Sequence, residues 1–176
     1  MKNLKFSRLF AAMMVVACLV LVGCNFYPKN NGQNDASPLT ADNLILGYWV
    51  DDYAGYNTYG KYDCKIAVDS IETSSYGKQI STIYYRKVTD DSGYLYYKFS
   101  EDITGYDASW NPIPVSAKGK WGAVAFKNLT ATSVTMCDFA DSKYELPATL
   151  DECISKYTVE NKYFSKMPEW TKVEIQ

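Results

Sequence analysis

Histidine does not occur anywhere in the 176 residues. Its absence removes the commonest general base and the commonest transition-metal ligand, which narrows the chemistry more than any motif present. Serine nucleophiles have no histidine partner, and the chain contains neither a Gly-x-Ser-x-Gly elbow nor a glycine-rich phosphate loop. Calcium needs oxygen ligands at fixed loop spacing, and neither Asp138-x-x-Asp141 nor Asp102 with Asp107 fits a recognised loop. No metal and no cofactor are expected. Adjacent carboxylates occur at Asp51-Asp52, Asp90-Asp91, Glu101-Asp102 and Asp151-Glu152. Neighbours on a strand point to opposite faces, so no such pair converges locally as glycosidase acids do. They read as turn and edge solubility, and the chain is expected not to be an enzyme.

Long hydrophobic runs are also missing. The longest, Leu9 to Val22, is an uncharged stretch of fourteen residues. That is short for a hydrocarbon core of about 30 Å but suits the apolar core of a signal peptide. It follows a basic start, Met1 to Arg8, that has no acidic residue. The stretch ends Leu21-Val22-Gly23-Cys24, which resembles a lipobox, the motif in which a cysteine thiol receives diacylglycerol before cleavage on its amino side. Gly23 supplies the small residue that such cleavage needs. The resemblance implies a leader over residues 1–23 and a mature protein that begins at lipidated Cys24. Its partner there is a membrane, entered through the N-terminal lipid. One acyl chain, at roughly 0.8 kcal/mol per buried methylene, holds a protein only marginally, whereas a diacylglyceryl cysteine meets the requirement. Residue 25 is Asn rather than Asp, which favours the outer over the inner membrane of a cell envelope.

Positive charge is scarce. Without Lys2, Lys5 and Arg8, 15 of the 18 basic residues remain against 20 acidic ones, a net charge of −5. Nucleic-acid binding, which rests on clustered Lys and Arg, is therefore not expected. The remaining 153 residues suffice for one domain with one core. All sixteen tyrosines and four tryptophans fall within them, and aromatic rings favour strands, where they cover a half-buried pleated surface. Besides the lipidated Cys24, three cysteines remain: Cys64, Cys137 and Cys153. In an oxidising compartment three pairings are open. Cys137 with Cys153 is preferred because each would sit where a strand meets the following helix, and three buried thiols acting as small hydrophobes is the equal alternative.

Residues 24–43 are polar and broken by Pro28, Gly32 and Pro38, a tether between lipid and domain. From residue 44 onward, short strands separated by Gly, Asp, Ser and Asn are expected near 45–52, 59–68, 79–88, 93–100, 119–127 and 132–139, with shorter ones near 70–75 and 170–175. Alternation puts Tyr62, Cys64, Ile66 and Val68 on one face and Asp63, Lys65 and Asp69 on the other. Leu95, Tyr97 and Phe99 likewise oppose Tyr94, Tyr96 and Lys98, and Asp90-Asp91-Ser92-Gly93 supplies a hairpin turn. One helix is expected from Thr149, which caps it with Glu152 bonding back, to about Tyr157. A long meander of this kind loses its exposed edges by closing into a barrel.

The start of this region, Asn43-Leu44-Ile45-Leu46-Gly47-Tyr48-Trp49, resembles the first-strand signature of lipocalins and related calycin-type barrels. The segments Gly93–Lys98, Gly119–Phe126, Thr149–Glu152 and Tyr157–Glu160 resemble small lipocalin-like bacterial lipoproteins, most of unknown function. Together these cover most of residues 44–176. The resemblance implies an all-β fold: an antiparallel up-and-down barrel of about eight strands with one short helix near the C-terminus, in which Gly47 and Trp49 form the barrel-floor motif. In that family an arginine on the last strand stacks on the floor tryptophan. Here that segment offers only Lys172, and Arg86 is the sole arginine after the leader. Such barrels enclose small apolar ligands, and Tyr62, Tyr97, Phe99, Phe126 and Phe139 are the candidate lining. The alternative is a surface module with a solid core, in which Tyr48, Tyr53, Tyr56 and Tyr59 form a patch for protein or glycan.

Overall fold

Period-two apolarity becomes antiparallel strands throughout. The computed structural model describes residues 36–51, 62–74, 76–164 and 167–174. The expected leader, the lipobox residues, Cys24, Tyr53, Tyr56 and Tyr59 lie outside the described residues. The elements in order are β1 (Ser37–Pro38), β2 (Gly47–Asp51), β3 (Tyr62–Ile66), β4 (Ser70–Thr73), β5 (Gly77–Ile80), β6 (Tyr84–Thr89) and β7 (Ser92–Lys98). They continue with β8 (Ile103–Tyr106), β9 (Pro112–Val115), β10 (Trp121–Lys127), β11 (Ser133–Asp138), α1 (Leu150–Lys156) and β12 (Glu169–Val173). Residues Asn34–Gln176 form a compact unit of their own. No helix among the described residues is long and apolar enough to cross a membrane.

Ten strands make one sheet in the order β1-β6-β7-β10-β11-β12-β2-β3-β4-β5, and β8 and β9 form a separate hairpin. The last strand joins the first strand of the meander, with Trp170 opposite Asp51 and Lys172 opposite Trp49. The expected closed, eight-stranded barrel nevertheless does not form, because the ladder ends at β1 on one side and at β5 on the other. The chain leaves β5 through Ser81-Thr82-Ile83, and side-chain bonds rather than a ladder tie β5 to the end of β7. Ser100 N and Oγ donate to Gln79 Oε1 at 2.8 and 3.1 Å, and Lys98 N donates to Ser81 Oγ at 3.1 Å. That accounts for Gln79, a buried amide whose Nε2 also donates to Tyr76 O at 2.8 Å. Ser37 and Pro38, expected within the tether, pair with Tyr85 and Tyr84, and Leu39 is buried. The domain therefore begins earlier than residue 44.

Cross-strand partners share a face, so the ladders define the interior. Trp49, Cys64, Ile66, Ile71, Leu95, Tyr97, Val124, Phe126, Val134 and Met136 all point inward and are buried. On β7 and β10 the opposite face is buried too, at Tyr94, Tyr96, Ala123 and Ala125, because α1 packs against both strands. The two alanines leave room for the helix, and Cys153 on its inner side donates its thiol to Gly122 O at 3.6 Å. Phe164, 5.8 Å from Tyr94 between ring centroids, extends this outer layer. The helix carries the expected capping box: Glu152 N donates to Thr149 Oγ1, and Thr149 N donates to Glu152 Oε2, both at 3.2 Å.

The preferred Cys137–Cys153 disulfide is not present. Cys137 lies opposite Ala125, whereas Cys153 reaches β10 at Gly122. Three residues along a strand is roughly 10 Å, beyond the span of a disulfide.

Candidate functional site

Gly47 and Trp49, expected as a floor motif, lie on β2. Trp49 is fully buried and its Nε1 donates to Ile45 O at 2.8 Å. Burying a ring of this size removes about 200 Å² from water, worth roughly 5 kcal/mol as an upper figure. Lys172 Nζ lies 5.1 Å from the Trp49 ring centroid and donates to Leu44 O at 3.1 Å. Lysine thus covers this tryptophan with a cation despite lacking a guanidinium plane. Gly47 has φ +140°, a conformation that L side chains rarely adopt, and a side chain there would begin 2.5 Å from Lys172 Cε and displace the lysine tip.

A cavity of about 550 Å³ opens near the end of β2. Its walls come from the finishing residues of β2, β4 and β11, the start of β12, and the segment after β11. The ladders bring these side chains round one face: Cys64 pairs with Thr73, Asp51 with Trp170, and Val124 with Asp138. Aromatic rings supply much of the wall, namely Tyr76, Phe139, Tyr144 and Trp170. Each is fixed by a polar contact or a stacked neighbour. Trp170 Nε1 donates to Met136 O at 2.9 Å, and Tyr76 Oη donates to Phe139 O at 3.1 Å. Tyr76 stacks on Phe139 at 5.2 Å, while Tyr144 Oη accepts from Tyr106 N at 2.7 Å and so docks the β8–β9 hairpin.

Three carboxylates, Asp51, Asp138 and Asp141, also line the cavity. Asp141 is almost fully buried, 2.8 Å from Lys156 Nζ, and accepts from Tyr157 Oη at 3.3 Å and Lys143 N at 3.1 Å. Lys156 also donates to Glu145 O and lies beside the rings of Tyr157 and Tyr163. Burial pushes the Cys64 thiol and the Tyr76 and Tyr97 phenols well above their usual values, and the negative charge of Asp138 pushes each further the same way. No group of three or more potential metal-ligating side chains comes together among the described residues.

No family model, no curated protein and no solved structure matches this chain. Function must be read from the cavity itself.

Of the expected lining residues, only Phe139 reaches the wall. Tyr97 and Phe99 are fully buried behind it, 5.2 Å apart, and Phe99 lies 6.4 Å from Phe139. Phe126 stacks on Tyr85 at 5.8 Å, away from the cavity. The side chain of Tyr62 is outside the described residues. Tyr48, expected in an exposed patch, is half-buried and donates to Asp63 Oδ2 at 2.9 Å. Alternation gave no weight to Asp51, Tyr76, Met136, Asp138, Asp141, Tyr144 and Trp170. Trp170 and Asp138 could have been found by extending the inward face of their strands. Tyr76 and Tyr144 sit in connections with no period to follow.

Proposed function

We propose that this chain is a lipid-anchored envelope protein, tethered through Cys24, whose lipocalin-like β domain binds or carries a small apolar ligand. The observation that carries the reading is the cavity of about 550 Å³ walled by Tyr76, Phe139, Tyr144 and Trp170. Ligand pockets are of this size and are lined mainly by apolar and aromatic side chains with a few placed polar groups. The buried Trp49 with Lys172 over it supports the lipocalin likeness, and the ligand space opens near the end of the same strand. The function is carriage or sensing rather than catalysis.

Native mass spectrometry of residues 34–176, purified without detergent, tests the reading. A co-purifying lipid-sized mass, lost on substituting Trp170 with Ala, is the expected result. An empty domain that also takes up no apolar probe refutes it. Labelled palmitate should enter the full-length wild type and not Cys24→Ala, and incorporation into the variant removes the anchor from the proposal.

A second reading, a surface module for protein or glycan, is favoured by one observation. Trp110 is 82% exposed on the β8–β9 turn, with Tyr106 beside it at 6.3 Å. The turn is held by Asp107, which accepts from Ser109 N and Asn111 N at 2.8 and 2.9 Å. Loss of partner or glycan binding in Trp110→Ala with an unoccupied cavity supports this second reading over the first.

A further inference from the structure

A sheet face turned to water ordinarily carries polar and charged side chains. The outer side of β3, β4 and β5 does so, with Lys65 opposite Glu72 and Glu72 opposite Lys78. The β8–β9 hairpin departs from that rule. Its ladder places Ile103, Gly105, Ile113 and Val115 on one face, and Thr104, Tyr106, Pro112 and Pro114 on the other. The first face packs on the domain: Ile103 and Val115 are buried, and a side chain at Gly105 would begin 2.4 Å from Tyr144 Cζ. The second face is exposed at all four positions and bears no charge. Trp110, 82% exposed, extends it at the turn, 6.3 Å from Tyr106. Asp107 is the sole charged residue from Ile103 to Val115, and the turn itself consumes its carboxylate through Ser109 N, Asn111 N and Asn111 Nδ2.

An uncharged, aromatic exposed face marks a binding surface, and the hairpin's own chemistry selects among occupants. Strand addition is disfavoured. Proline fills two of the four positions of β9 and cannot donate to a new neighbour, while Tyr106 N on β8 already donates to Tyr144 Oη at 2.7 Å. A sugar needs fixed polar partners beside the ring it stacks on, and the carboxylate and amide of this turn, Asp107 and Asn111, are bonded to each other at 3.1 Å. Tryptophan and tyrosine without neighbouring charge are instead the side chains that settle at a membrane–water interface, with the ring among the head groups and the polar tip in water. The chain between anchor and domain permits that contact. Ala36 lies twelve residues after Cys24, a reach of about 40 Å when extended, which is about the width of a domain of this size. An anchored domain is therefore free to turn any of its faces to the bilayer.

Resting on the lipid-anchored reading, we propose that the outer face of the β8–β9 hairpin is a second membrane contact, in which Trp110 and Tyr106 enter the head-group layer of a phospholipid bilayer. The contact is apolar rather than electrostatic. It also brings the cavity close to lipid, because Tyr144, which lines the cavity, packs on Gly105 and accepts from Tyr106 N.

The test uses residues 34–176, the compact unit without Cys24, so that any affinity for lipid belongs to the domain itself. Sedimentation with phosphatidylcholine vesicles gives the partition coefficient, and brominated phosphatidylcholine quenches an inserted indole. The wild type is expected to bind and to be quenched, equally at about 0.1 M and about 0.5 M salt, since the face holds no basic residue. Trp110→Gly is expected to lower the partition coefficient at least about tenfold and to remove the quenching. Trp110 has φ +64°, which glycine adopts freely, so the variant keeps its fold. Thr104→Glu, which adds charge at an exposed position of the same face, is expected to weaken binding about tenfold as well. No binding by the wild type, undiminished binding by both variants, or binding that the higher salt abolishes overturns the proposal. Capture of a glycan or protein through Trp110 without vesicle binding overturns it in favour of the surface-module reading. Failure of labelled palmitate to enter Cys24 while the domain still binds vesicles removes the anchor and leaves the hairpin contact standing, so the two failures are distinct.

Discussion

Replacing Lys156 with methionine removes the cation that holds the end of α1 to the cavity rim. Its partner Asp141 keeps a side chain only 5% exposed, against 22% for Lys156 itself. Losing one member of a fully buried pair costs about 3–5 kcal/mol, whereas exposed pairs are worth about 0–1. After Lys156→Met the carboxylate retains Tyr157 Oη and Lys143 N as donors, so a loss of about 2–3 kcal/mol is expected. The reverse change, Asp141→Asn, leaves the better-hydrated partner, which can still donate to the Glu145 carbonyl and reach water, and should cost only about 1 kcal/mol. The asymmetry is the signature, because it follows from which partner is buried rather than from the pair as a whole. Urea unfolding of residues 34–176, followed by tryptophan fluorescence, gives both values, and the double variant closes a cycle expected to show about 1–2 kcal/mol of coupling. Equal costs, a reversed order or strict additivity would refute the reasoning.

A side chain at Gly122 would begin 2.8 Å from Tyr97 Cζ and 3.0 Å from Phe139 Cε1, both on fully buried rings. Gly122→Ala should therefore destabilise by about 1–3 kcal/mol in thermal unfolding, and a neutral result would show that the wall behind the cavity yields. Thr149→Ala removes the acceptor for Glu152 N and should cost about 1 kcal/mol, with α1 losing amide-exchange protection before the sheet does. Burial raises the Cys64 and Cys153 thiols above the ordinary 9.0, and the Tyr76 and Tyr97 phenols above the ordinary 10.0. Below these values both states hold the protons. Above them only the unfolded chain releases its protons, so stability falls as pH rises, by up to about 1.4 kcal/mol per pH unit for each group. Urea midpoints that stay flat between about pH 8 and about pH 11 would contradict this.

Much of the sheet is legible because one face is core along β3, β7, β10 and β11, although β6 is only partly buried. Cys64 and Ile66 are buried while Lys65 is exposed, as alternation requires. The turn at Asp90-Asp91 links β6 and β7 as a hairpin. Alternation fails where a second layer covers the outer face, so Tyr94 and Tyr96 are buried although they oppose Leu95 and Tyr97. Val68, read as an inward residue, is exposed because β3 ends at Ile66. The stretch 79–88 divides into β5 and β6 at Ser81-Thr82-Ile83, since a run of β-formers says nothing about which neighbour it will pair with. The β8–β9 hairpin carries Pro112 and Pro114, which lower strand propensity in sequence and are tolerated in a two-stranded sheet. The cavity was the least legible part. Which rings fill a core and which border a space depends on how far the sheet curls and where it stops, and neither is written in local periodicity.

The strand made last, β12, occupies the middle of the sheet, between β11 and β2. A chain synthesised from its N-terminus delivers this keystone only after the strands on either side of it. Until Glu169–Val173 arrives, β2 and β11 have no partner on their facing sides, and Trp49 and Val134 lack the strand that pairs beside them. Any shortened product that stops before Trp170 exposes two adhesive edges and becomes a substrate for proteolysis or aggregation.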